Sequence, residues 1–156
     1  MTNLANQAEP AMESLLNADE DTLFEQLGIR ATAIQQNLNL GSSFSPEVSY
    51  DEAAMGVLDD VRDYGKRIFR RCSVEGYKLF CGDDPEDEED RKQLADATGI
   101  SQGQIAALVA GMLVAQLGLA PAIAAIVAAI LIKRFLIKPG YQLACDKWKA
   151  QLPSSE

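Results

Sequence analysis

A chain of 156 residues with a formal charge of −9, only 6% aromatic residues and an apolar content supplied mainly by Ala, Leu, Ile and Val is long enough for one domain and favours helices over sheets. Histidine is absent, which excludes Ser-His-Asp and Cys-His nucleophile pairs, imidazole metal ligation and imidazole pH switching. Cys72, Cys81 and Cys145 are an odd number at no metal-like spacing, and the first two would lie about 13 Å apart on one helix, so reduced thiols and a cytoplasmic setting are expected.

The opening Met1–Glu9 has neither a basic n-region nor an apolar h-region, so no signal peptide is expected. Helices are predicted over 10–17, 19–38, 50–81, 85–97, 102–118, 121–137 and 140–152. Asn17-Ala-Asp-Glu20, Ser49-Tyr-Asp-Glu52 and Ser101-Gln-Gly-Gln104 fit the capping-box pattern, and Asp84-Pro85 supplies a further start. In 19–38, Phe24, Leu27, Ala31, Ile34 and Leu38 recur at helical spacing. Residues 1–40 are thus read as N-terminal amphipathic helices, followed by a Gly/Ser/Pro-rich linker over 41–49. Residues 50–97 are charged helices, and 98–152 hold the apolar hairpin and a short amphipathic helix.

The helix over 50–81 is expected to present Ala54, Val57, Val61, Ile68, Phe69 and Cys72 on one face, with Gly82 as its terminator. Its other side carries a basic stripe, Arg62, Lys66 and Arg70 at four-residue steps with Arg67 and Arg71 beside them. Such a stripe can contact phosphates, but the acidic chain as a whole disfavours nucleic acid. The plainer reading is a solvated face, partly paired through Asp63 and Arg67. The acidic run Asp83–Asp90 lacks EF-hand spacing, so no metal is expected there, and contact with the basic stripe is the better suggestion.

Between Asp96 and Lys133 there is no charge at all. In the first arm Ile105, Leu108, Val109, Met112, Leu113 and Leu117 form a large apolar face, opposed by Ala106, Ala107, Ala110, Gly111, Ala115 and Gly118. In the second, Ile123, Ile126, Val127, Ile130 and Leu131 oppose Ala122, Ala125 and Ala129. A helix that is apolar all round is surrounded by protein or by lipid. Gly118-Leu-Ala-Pro121 divides the arms, with Gly ending one helix and Pro opening the next.

Each arm is about 24 Å long, short of a typical bilayer core, whereas one continuous helix would reach about 42 Å and could cross with tilt. On that membrane reading Lys133, Arg134 and Lys138 form a basic flank and Tyr141 and Trp148 act as interfacial anchors. On the soluble reading Tyr141, Cys145, Trp148 and Leu152 are a stripe that packs on the hairpin. Amphipathic helices ahead of an Ala-rich hairpin give a layout that resembles, in composition and over about a quarter of the chain, the hydrophobic hairpin of colicin-type pore-forming domains.

The sequence therefore predicts an all-α, compact multi-helix bundle around a C-terminal Ala-rich hydrophobic helical hairpin. The function expected is non-enzymatic: self-association or protein binding through Ile105, Leu108, Met112, Leu113, Leu117, Pro121, Ile123, Ile126 and Ile130. The alternative is a membrane-inserting or pore-forming effector that hides the hairpin in a soluble form, and a weaker one is an acidic adaptor for a basic partner. No cofactor, metal or small-molecule substrate is indicated.

Overall fold

The computed structural model describes residues 2–46, 48–81, 102–136 and 148–150, and these form an all-α bundle with no strand among them. Helix α1 spans Thr2–Leu16 and α2 spans Glu20–Gln36. A 3-10 turn, Leu38–Ser42, and a single helical turn α3, Glu52–Met55, lead into the long helix α4, Leu58–Cys81. The hairpin follows as α5, Gln102–Leu117, and α6, Pro121–Leu131, which runs on into a π-helical turn over Ile132–Leu136.

Helix α6 is the axis of the bundle. It contacts α1, α2, α4, α5 and the 3-10 turn, and every side chain from Ala124 to Ile132 is at most 1% exposed. Its sequence explains the position, because a segment of only Ala, Ile, Val and Leu has no side that gains from water. Helix α1 lies along the apolar α5, and α2 lies along α4, so α1, α2 and α4 sheathe the hairpin.

Several boundaries differ from expectation, each for a local reason. Helix α1 begins at Thr2 rather than at residue 10 and passes through Pro10. Ala8, Ala11, Met12 and Leu15 are buried at helical spacing, and this packing outweighs the backbone hydrogen bond that proline removes. Asp19, not Asn17, caps α2: its carboxylate accepts from the Thr22 amide at 2.8 Å, which holds its pKa below the usual value. The helix expected over 50–81 is broken at Gly56, whose φ of 88° is open to glycine and strained for other residues. The first turn, α3, starts only at Glu52, so Ser49 does not stand at its N-cap, and Val57, expected inside, is half exposed.

The buried side of α2 is also rotated from the expected stripe. Leu23, Phe24, Leu27, Gly28, Ile29, Arg30 and Ala33 are buried, while Ala31 and Ile34 are half-buried and Leu38 is 80% exposed. The segment expected to be a linker is packed, with Phe44 buried and Gly41 lying against Ala120 at the hairpin turn.

The turn itself follows the Gly–Pro reading. Gly118 has φ 69° and its amide donates to the Val114 carbonyl, while Pro121 opens α6 behind the extended Ala120. The predicted helix over 85–97, most of that over 140–152, the Ser101 cap, the Gly82 terminator and the Asp83–Asp90 run lie outside the described residues.

Candidate functional site

The hairpin residues singled out from sequence divide into two sets. Met112, Leu113, Ile126 and Ile130 are fully buried and form core, together with Ala106, Ala107, Ala110, Ala125 and Ala129. Ile105, Leu108, Leu117, Pro121 and Ile123 are half-buried, and they sit at the hairpin's outer edge and tip. The body of the hairpin is thus covered by the chain's own helices, and what reaches the surface is its rim.

The tip is fastened by the single base among residues 1–60. Arg30, 7% exposed, donates through Nη1 to the Phe44 carbonyl and to the Ala122 carbonyl, both at 3.0 Å. It thereby ties α2 to the segment after the 3-10 turn and to the first turn of α6. Its Nε finds no hydrogen-bond partner among the described residues, and burial lowers the guanidinium pKa to about 10, which leaves it charged at neutral pH. The only sequence signal for it is position, since Arg30 falls in the register of the buried side between Leu23, Leu27 and Ala33.

The basic stripe is not one uniform face. Arg62 is held by Glu25 through two hydrogen bonds, at 2.9 Å from Nε and 2.5 Å from Nη2, and this contact raises its pKa. Lys66 lies over the Phe24 ring and Arg67 over the Tyr64 ring, whereas Arg70 and Arg71 are exposed. The expected pairing of Asp63 with Arg67 is therefore replaced by Arg62–Glu25 across α2 and α4.

The basic flank after the hairpin is likewise engaged inside the molecule. Lys133 Nζ donates to the Leu16 and Ala18 carbonyls, where its charge suits the end of α1. Arg134 donates from Nε to Glu20 at 2.9 Å and covers the rings of Phe24 and Phe69, which meet edge to face at 5.7 Å. The π-helical turn carries both cations to the α1–α2 corner.

Trp148 is buried, and its indole N–H donates to Ser73 Oγ at 2.8 Å. It packs beside Tyr77 and Phe80 and against Gly76 of α4. These contacts are with α4, and Trp148 shares the buried core with Ile130 and Leu131 of the hairpin; Tyr141, Cys145 and Leu152 lie outside the described residues.

Cys72 is also buried, and burial pushes its thiol up to about 11. The raised pKa stabilises the fold below the unfolded value of 9.0, and this stabilisation is lost as pH rises from about 9 to about 11. With Cys81 and Cys145 replaced by Ser, labelling by Ellman's reagent at pH 8 should be on the order of a hundredfold slower folded than in urea.

Among the described residues no group of three or more His, Cys, Asp or Glu side chains is placed to hold a metal, and no helix is long and apolar enough to cross a membrane. The arrangement defines a helical bundle that covers its own apolar hairpin and latches the tip through one buried arginine. Comparison of the chain with protein-family models, curated proteins and solved structures finds no match in any of the three.

Proposed function

We propose that this chain is a non-enzymatic interaction protein that associates with a second copy of itself through the tip and outer edge of its hairpin, not through the hairpin's body. One observation carries the reading. Leu38 is 80% exposed on a 3-10 turn that packs on α6, and Leu117, Leu119, Pro121 and Ile123 at the hairpin tip are half-buried. A large aliphatic side chain held out on a turn that packs against the hairpin suits an interface better than solvent.

Light scattering behind size exclusion tests it. The wild-type mass is expected to be a multiple of 16.9 kDa, and Leu38→Glu with Ile123→Glu should return it to 16.9 kDa with unchanged helicity. A wild type that stays at 16.9 kDa up to high micromolar concentration would remove this reading.

A second reading, a membrane-inserting effector, is favoured by the enclosure of a helix without polar side chains beneath amphipathic ones. That is the covered form such a protein requires before it inserts. Flotation with anionic vesicles and dye release at neutral and mildly acidic pH test it. No association under either condition would count against it.

A further inference from the structure

We infer that Arg30 is the latch of a local opening device that holds the hairpin tip and the segment after the 3-10 turn closed against α2. Three separated parts of the chain meet on this one side chain, which sits on α2 and donates to Phe44 and to Ala122. Among the described residues no carboxylate pairs with it, although Glu25 and Glu20 are each engaged by other arginines. Its compensation is therefore two backbone carbonyls, one from each part it fastens.

A buried guanidinium without a carboxylate is held in place at a cost in hydration, and among the described residues its Nε has no hydrogen-bond partner in the closed form. Moving the tip away from α2 returns water to the whole group. The lost hydration thus favours opening, and the two charge-assisted hydrogen bonds oppose it. Opening here costs less than opening the rest of α6, which is enclosed by apolar contacts that would gain nothing from water.

The consequence is a division within the hairpin. The tip, with Leu119, Ala120 and Ala122, moves with residues 38–44, while the deeper part of α6 from Ile126 onward stays with α1 and α5. Gly41 against Ala120 is the second point of contact in the same unit, and Gly118, with φ 69° and open space around it, is the natural hinge. This inference does not depend on what the tip binds.

Native-state hydrogen exchange resolved by residue tests it in the wild type and in Arg30→Met. In the wild type the Leu40, Ile123 and Ala124 amides, which are hydrogen-bonded in the closed form, should exchange through an opening that depends less on urea than global unfolding does. In Arg30→Met these amides should lose protection by roughly ten- to a hundredfold while α1, α5 and the amides of Ile130 and Leu131 change little. A loss spread evenly over all helices, or none, would overturn the latch. Should Arg30→Met fail to fold, the wild-type profile still decides: tip amides that exchange only with global unfolding would contradict it.

Discussion

Ala125→Asp and Ala129→Asp are each expected to unfold the chain or leave a loosely packed state, whereas Ala115→Asp should fold normally. Ala125 and Ala129 are fully buried on α6, the helix that every other layer surrounds, while Ala115 is exposed on α5. A carboxylate at either buried position would enter the hydrophobic core, so it must protonate, drag water inward or force α6 out. Each route costs several kcal/mol, against a total stability of about 5–15 kcal/mol for a domain of this kind. Ala110→Asp on α5 should behave like the α6 variants, because that side chain is equally buried. Far-UV circular dichroism and the midpoint of thermal melting give the comparison. If the α6 variants melt within a few degrees of wild type, α6 is not the enclosed axis.

The second large effect is expected from a single methyl group. Helices α2 and α4 touch through Gly28 and Gly65, and a Cβ on Gly28 would fall on the Val61 carbonyl while one on Gly65 would fall on the Phe24 carbonyl. The obstacle is backbone in both cases, so no rotamer change can relieve it, and the helices must separate. That separation loosens the contact of Phe24 with Phe69 and the pairing of Glu25 with Arg62 together. Gly28→Ala or Gly65→Ala should therefore cost about 3 kcal/mol or more, at or above the top of the overpacking range. Gly118→Ala provides the contrast. Its site is open, so only the positive φ opposes the methyl, and a loss of about 1 kcal/mol is expected. Urea midpoints of the three variants, ranked against wild type, check the order.

The contrast between these glycines shows where sequence reasoning reached and where it stopped. Gly118 and Pro121 were legible because each acts on its own backbone, one through positive φ and the other through a fixed φ at a helix start. Gly28 and Gly65 matter only through a neighbour on another helix, and nothing local to either position reveals that neighbour.

The same distinction separates the two arginine outcomes. The stripe Arg62–Arg71 is visible as a spacing, but Glu25 and the Phe24 ring, which divide it, come from α2. Arg30 looks like a surface base in an acidic segment, and only the tertiary register turns it inward. The early start of α1 was hidden for a related reason. Pro10 reads as a helix opening, and it took the burial of Ala8 beside Ala11 and Met12 to carry the helix back to Thr2.

The hairpin was the most legible element, since an uncharged stretch split by Gly and Pro dictates two apolar helices. Its sequence did not dictate what covers it. The bundle answers with its own amphipathic helices, and the cations that a membrane reading would place at a lipid surface, Lys133 and Arg134, serve the α1–α2 corner instead.

Concealment of the hairpin by its own chain is tested most directly by hydrogen exchange of the α6 amides from Val127 to Leu131 in detergent-free buffer, followed over a hundredfold dilution. Protection in this segment should be strong and independent of protein concentration, even where the tip associates. Protection that falls on dilution, or that arises only when lipid is added, would mean that another copy or a membrane supplies the cover, and would contradict the account.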